Sequence, residues 1–358
     1  MSRAGLLCLA STSSALRLER RGLAARRGVV AKGHPRNAFA GSYDFEALVA
    51  SNPRLAAHVI AAADAIGKRD TVNWGDPGAV LEVNRALLAK DYGVADWGLP
   101  ERALCPPVPS RADYVHHVAD VLTRSGGLDG PPPSEITGLD VGTGASLIYP
   151  LLGAGAYGWR FLASEVDADS RAHAADLAAR NGLADRIRVR RQPDPSAAFE
   201  NVLDGDAAVD FSMCNPPFYE SRDAFLAESA RKRRQLAKSS KKRNPTYRGG
   251  APGAAESGSD NFGGGDSELW TPGGERRFVS DMIAESERFQ DRCLWFSSLV
   301  SRKAVLPALE AALKRLPVKD TTVVATGRGQ KTTTLLFWTF KTRPEQRAWA
   351  RDRGWGGT

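Results

Sequence analysis

Cysteine is scarce in this sequence and never clustered. Cys8, Cys105, Cys214 and Cys293 are the only four in 358 residues, and no C-x-x-C pair occurs. That argues against a disulfide framework or a zinc ribbon and fits a reducing compartment. No apolar run approaches the roughly 18 residues of a membrane span, which argues against an integral membrane protein. No internal repeat is visible, and nothing points to an oligomer, so a monomer is expected. Acidic side chains are nearly missing from two segments. Residues 1–43 carry eight Lys/Arg and one acid, Glu19, and residues 231–248 carry nine Lys/Arg and no acid. The rest of the chain then holds 32 basic and 40 acidic residues, a net charge of −8. An acidic body with two concentrated basic segments suits a polyanionic partner, the alternative being solvated charge.

Residues 1–33 are rich in Arg, Ser, Ala and Leu. They read either as a transit peptide, which implies a mitochondrion or plastid, or as an unprocessed extension of a nuclear or cytoplasmic protein. Residues 34–130 look mainly helical and are expected to form a small domain. In it Val115, Val118 and Leu122 share one helical face, with Asp113 and Asp120 off it. Asp76-Pro77 reads as a cap followed by proline at the first helical position. GGLDGPPPS (126–134) reads as a linker and domain boundary. Strands then alternate with helices: 136–141, 160–165, 187–190, 207–214, 293–300, 321–326 and 333–340. This rhythm predicts an α/β fold, a doubly wound seven-stranded sheet, mostly parallel, with one antiparallel edge hairpin. Residues 219–274 interrupt the rhythm as a long basic loop, and 341–358 are left as a tail.

Two constellations carry chemistry. Asp140-Val141-Gly142-Thr143-Gly144-Ala145-Ser146 ends the first strand of the alternating region. Small residues there allow a sharp turn and close approach of a ligand. Glu165 ends the second strand, at the spacing where an acid binds ribose hydroxyls. Leu147 replaces the third glycine of G-x-G-x-x-G, which disfavours a dinucleotide and leaves a phosphate-free nucleoside such as S-adenosylmethionine. The alternative is plain strand–helix packing. Asn215-Pro216-Pro217-Phe218 follows the fourth strand. Asn215 and the Pro216 carbonyl offer two acceptors to one planar –NH2 group, and Phe218 offers a stacking face. The alternative is a tight turn with a packed Phe. His116 and His117 point to different sides of their helix and lack ligands beside them. One core and one surface histidine are expected, and no metal. Cys214 reads as a buried small residue.

The chain resembles the RlmF-type RNA adenine-N6 methyltransferases, whose relatives include the U6 small nuclear RNA enzyme. The resemblance is carried by HPRN (34–37), YDFEALVASNP (43–53), LCPPVPSRADYVHHVADVL (104–122), LDVGTGASLIYPLLGAGAYGWRFLASEVD (139–167), CNPPF (214–218), NFGGGDSELWTPGGE (261–275) and GRGQKTTTLLFWTF (327–340). It implies a Rossmann-like class I fold and methylation of an adenine N6 in structured RNA, large-subunit rRNA first and U6 snRNA as the alternative. Guanine-N2 or protein-glutamine methylation, or a non-catalytic RNA-binding module, are further alternatives. The resemblance implies that Arg111 reaches the methionine carboxylate of S-adenosylmethionine. It implies that Asp140, Gly142, Gly144 and Ser146 belong to the cofactor loop, that Glu165 holds the ribose, and that Ser196 lies near the adenine. Asn215 to Phe218 are then catalytic, with Asn215 also beside the cofactor. Arg36, Arg231, Lys232, Arg233, Arg234, Lys238, Lys241, Lys242 and Arg243 are expected to grip RNA phosphates. The resemblance stops near Phe340, and the further C-terminal RNA-binding region of vertebrate relatives is not expected.

Overall fold

The computed structural model describes residues 33–39, 42–64, 67–101, 103–205, 207–224, 226–227, 270–328 and 331–355. Residues 1–32 and the basic positions 231–248 lie outside them.

The strands form where apolar runs can be buried on both faces. β6 (Val209–Cys214) and β7 (Cys293–Val300) are buried at every residue. Such continuous runs mark the centre of a helix-covered sheet. With β3 (Thr137–Val141), β4 (Arg160–Glu165), β5 (Ile187–Arg191), β8 (Asp320–Arg328) and β9 (Lys331–Thr339) they make one seven-stranded sheet, ordered β5-β4-β3-β6-β7-β9-β8. β5 to β7 run parallel through β4, β3 and β6. β9 is antiparallel to both neighbours and is inserted between β7 and β8, so β8 is the edge. All seven expected strands are present, within two residues at each end.

Helices cover both faces. α3 (Val108–Gly126), α4 (Ile148–Tyr157) and α5 (Ala168–Arg180) bury residues in one core with Phe161, Phe211 and Trp295. α6 (Gly274–Ser286) and α7 (Leu306–Leu313) share the opposite core with Phe199, Phe296 and Trp338. Each fully buried aromatic of this kind is worth about 2–3 kcal/mol relative to exposure.

The N-terminal region is not a separate body: residues 31–358 form one compact unit. The reason is α3, which the expected linker places outside the sheet domain but which the sheet itself buries. Tyr114 bonds Ser297 of β7 at 2.8 Å, and Trp295 Nε1 donates to Ser125 at 2.7 Å. α1 (Phe45–Ser51) and α2 (Pro77–Tyr92) complete the region. Asp76 caps α2 by accepting from Gly78 N at 2.9 Å, as the Asp-Pro pair predicts. A hairpin, β1 (Val59–Asp64) with β2 (Gly67–Val72), was not expected. Its alanine run favours a helix by propensity, and its connection lacks an Asn-Gly or Asp-Gly signal. The expected tail is instead a capped helix, α8 (Arg343–Asp352). Trp349 Nε1 donates to the buried Asp210 at 2.8 Å, which fixes α8 to β6.

Candidate active site

In the sheet β3 sits between β4 and β6, the point where the winding direction reverses. Ligands of open α/β sheets bind beyond the strand C-termini at such a point. A cavity of about 310 Å³ lies there, lined by residues after β3, β4 and β6.

The loop after β3 needs its glycines. Gly142 and Gly144 have φ of +70° and +63°, and a Cβ on Gly142 would meet nothing within 4 Å. A side chain there would be strained and would enter open space beside the cavity. Thr143 N donates to Ser164 O at 2.9 Å. Glu165 fastens the turn from the other strand. Its Oε2 accepts from Gly144 N at 2.8 Å, and its Oε1 accepts from Val166 N and Asp167 N, both at 2.9 Å. With two lone pairs per oxygen, Oε1 is full and Oε2 keeps one acceptor site. Burial raises the Glu165 carboxyl above its usual range.

Two buried ionisable side chains near the cavity form no ion pair among the described residues. Arg111 is 8% exposed, and its Nη1 donates to two neutral oxygens, Tyr149 Oη and Asn215 Oδ1, each at 2.9 Å. Among the described residues no carboxylate forms an ion pair with it. Asp140 is 1% exposed, and the Thr143 hydroxyl beside it is the one side-chain group of the described residues that offers it a hydrogen bond, in a geometry short of a well-formed one. Burial pushes its pKa up to about 7, and the Glu165 charge adds to this. Buried charges in proteins are normally paired. Arg111 lines the cavity and fits the carboxylate of an amino acid, whereas Asp140 is buried just beneath the lining residue Val141 and is not itself part of the wall. With the glycine cradle and the open Oε2, the donor set fits S-adenosylmethionine.

Asn215 and Pro217 line the cavity, together with Ser146 from the β3 loop. Pro216, between them in sequence, is buried and is not in the lining. Phe218 is half-buried against the core and stands one residue beyond the lining. Ser196 does not line the cavity: it is exposed, and its hydroxyl donates to Asp194 at 2.6 Å. Gln192, Pro195 and Ala197 take that wall. Trp270, Thr271, Pro272 and Phe278 form another wall that the motifs did not foretell, although the ELWTPGGE block contains three of them. Trp270 pairs with Tyr219, and Thr271 N donates to Tyr219 O at 3.0 Å. The long basic loop therefore leaves and rejoins the fold beside the cavity.

Arg36 is not an open cation. Its Nη2 bonds Asp120 Oδ1 at 2.5 Å and donates to the His116 carbonyl at 3.0 Å, and the guanidinium lies 5.5 Å from the Tyr157 ring centroid. The Arg36 side chain stays about one-third exposed beside that ion pair, and its expected contact with RNA phosphate remains a proposal. Arg231, Lys232, Arg233, Arg234, Lys238, Lys241, Lys242 and Arg243 lie outside the described residues. The two histidines are not one core and one surface residue either. His116 is buried, His117 is half-buried, and both rings touch His34, at 5.1 and 4.8 Å between centroids. His34, His117 and Asp120 are within reach of one ion. The bonding disfavours one, however. His34 Nδ1 accepts from Arg36 N at 3.1 Å, so the proton is on Nε2, which faces Asp120 at 2.9 Å. A ligating Nε2 would need Nδ1 to carry the proton and point it at that N–H. Asp113, placed off the apolar face, is buried by the HPRN segment: it accepts from His34 N and Asn37 Nδ2.

Comparison with known proteins agrees with this geometry. A family model described as an RNA methyltransferase matches residues 28–342. Ribosomal RNA large subunit methyltransferase F of Pseudomonas fluorescens (strain SBW25) is 43% identical over 317 residues, covering 88% of this chain and 89% of the relative. The protein of that name from Photobacterium profundum is 41% identical over 325 residues, 89% and 95% of the two chains. Among solved structures, the hMettl16 catalytic domain in complex with MAT2A 3′UTR hairpin 6 is 30% identical, with a TM-score of 0.66 over 87% of this chain and 98% of that one. The N-terminal domain of human METTL16 in complex with SAH is 28% identical, with a TM-score of 0.63 over 87% and 99%. No helix among the described residues is long and apolar enough to cross a membrane. With a Rossmann-like sheet and a cavity suited to S-adenosylmethionine, the chain belongs to the RNA methyltransferase family that its sequence resembles.

Proposed function

We propose that this protein methylates the exocyclic N6 amine of one adenine in structured RNA, and that the RNA is large-subunit rRNA. The carrying observation is the buried Arg111 guanidinium, which lines one cavity together with the Asn215 amide and donates to it at 2.9 Å. The identity to the ribosomal enzymes, 43% and 41%, exceeds the 30% and 28% to the METTL16 structures, which favours rRNA over a hairpin of the MAT2A type.

S-adenosylmethionine, when bound, supplies an electrophilic methyl group. Arg111 holds its carboxylate, Gly142 leaves it room, and the open lone pair of Glu165 Oε2 takes one ribose hydroxyl. Asn215 Oδ1 has one lone pair left beside its bond from Arg111. It and the Pro216 carbonyl accept the two N–H bonds of the base amine and turn the nitrogen lone pair towards the cavity. An aromatic amine is a weak nucleophile because that lone pair is delocalised, so fixing its direction is where rate is gained. No residue need remove a proton beforehand, since the amine becomes acidic as its new bond forms. Phe218 offers its ring outside the wall as a stacking face, and the basic loop grips phosphate. The base must leave its stack to reach the amide. The protein acts as a monomer and without a metal ion.

The test is nucleoside mass spectrometry of total RNA incubated with the protein and isotope-labelled S-adenosylmethionine. Label in N6-methyladenosine is expected. Label in N2-methylguanosine would overturn the base assignment, and label in protein alone would overturn the RNA substrate.

A further inference from the structure

One guanidinium touches both halves of the proposed site. The two hydrogens of Arg111 Nη1 each have an acceptor at 2.9 Å, the Tyr149 hydroxyl and Asn215 Oδ1. A guanidinium carries five N–H groups in a fixed plane. That leaves Nε and Nη2, for which the described residues supply no hydrogen-bond acceptor. Nε–H and one Nη2–H run parallel, the arrangement that a carboxylate fills with both oxygens. Arg111 can therefore hold Asn215 with one corner and a carboxylate with the other edge.

Tyr149 sets which way the guanidinium faces. It is 3% exposed on α4, and burial pushes its hydroxyl up to about 12, so it stays protonated and neutral. Its ring stands edge-on to Tyr114 at 5.4 Å between centroids, and Tyr114 is bonded to Ser297. The hydroxyl is thus anchored from the core. Because a guanidinium has no acceptor, the Asn215 amide must turn Oδ1 towards it. The flipped amide would show the base an –NH2 group where an acceptor is needed.

We propose that Tyr149 and Arg111 form a positioning pair that orients the Asn215 amide, and that their shared guanidinium makes the methyl donor's carboxylate and the target amine bind cooperatively. This rests on the proposed function. A carboxylate on the Nε/Nη2 edge stops the guanidinium from swinging, which holds Oδ1 in place for the amine. By linkage the amine favours the carboxylate equally.

The experiment uses the full chain, the shortest RNA that the wild type methylates, and the same RNA with purine riboside, which lacks the amine, at the target. Dissociation constants for each RNA are measured with and without saturating S-adenosylhomocysteine, for the wild type, Tyr149→Phe and Arg111→Lys. S-adenosylhomocysteine should tighten wild-type binding of the adenine RNA by about fivefold or more. It should leave the purine RNA unchanged. Tyr149→Phe should lose this coupling and about tenfold in kcat, while its affinity for S-adenosylhomocysteine alone stays within about threefold. Arg111→Lys should lose the coupling and also bind S-adenosylhomocysteine more weakly. It carries the test if the melting temperature shows Tyr149→Phe unfolded. Coupling retained in the variants, or equal for the purine RNA, overturns the proposal. A wild type that methylates RNA without any coupling overturns this proposal alone, whereas one that methylates no RNA overturns the functional reading and this proposal together.

Discussion

Helix α3 carries two buried charges two residues apart, and their surroundings are opposite. Asp113 is engaged by its own chain: its Oδ1 accepts from His34 N at 2.8 Å and from Asn37 Nδ2 at 2.7 Å, and Asn37 in turn bonds Pro109 O. Arg111 reaches only a neutral phenol and a neutral amide. Asp113 pins the HPRN segment to the helix and faces nothing that could be a ligand. Arg111 lines a cavity with an edge of donors unused. In the sequence the adjacent histidines draw attention but are expected to be structural, with no metal, while Arg111 is expected at the cofactor carboxylate only from the family resemblance. What separates the two residues is that the fold supplies Asp113 with donors, while Arg111 keeps donors unused at a cavity wall; an unpaired buried atom alone marks no site, since His116 Nε2 in the histidine cluster also lacks a partner.

The comparison can be broken at several strengths. The largest effect is expected at the cavity. Asn215→Ala should lower kcat by about 10²–10³-fold. RNA affinity in filter-binding should stay within a few-fold. Equal loss of both would remove Asn215 from the chemical step. Asp113→Ala should do the reverse: it leaves His34 N and Asn37 Nδ2 without their acceptor and should destabilise the fold by about 2–3 kcal/mol in urea unfolding. Activity per folded molecule should be unchanged.

Titration sharpens the same contrast, because the two regions respond to pH with opposite signs. The native state keeps Asp140 protonated up to about 7, above the ordinary value of 3.8. The unfolded chain releases that proton first, so this group lowers stability as pH rises from about 4 to 7. Asp140→Asn should remove that slope. His116 and His117 are pushed down to about 4, by burial first and then by the nearby His34. The unfolded chain then binds more protons, so their contribution is lost as pH falls from about 6.5 to 4. His117→Phe should flatten that acid limb. Melting temperatures between pH 4 and 8 for both variants check the two signs. The smallest effect is expected for Arg36→Ala. Its charge is already held by Asp120, so RNA affinity should change less than about twofold and the salt slope by well under one.

Much of the fold was legible because the strands are long apolar runs between turn signals. VDFSMC and CLWFSSLV needed no partner to be recognised. The β1–β2 hairpin was not, since Val59-Ile60-Ala61-Ala62-Ala63 carries no strand period and its stability comes from pairing. The glycine loop, Glu165 and Asn215 were legible as motifs, because each lies at a strand end where local chemistry repeats. Tyr149 was not: its meaning depends on Arg111, 38 residues away. The partners of Asp113 lie up to 79 residues distant. Ser196 is not in the cavity lining, in a turn where Pro195 and Ala197 are and the serine hydroxyl bonds Asp194. Trp270 and Thr271 sat in a recognised block, but only the pairing with Tyr219 brings that block to the Asn215 loop.

The central claim is that Arg111, which lines the cavity and forms no ion pair among the described residues, holds the amino-acid end of the cofactor. The direct test is calorimetric titration of the wild type with S-adenosylmethionine and with its decarboxylated form, which keeps the sulfonium, the adenosine and the amine. Loss of a buried charge-assisted pair predicts binding of the decarboxylated form weaker by about 10–100-fold. Equal affinity for the two would show that Arg111 does not hold the carboxylate and would contradict the account.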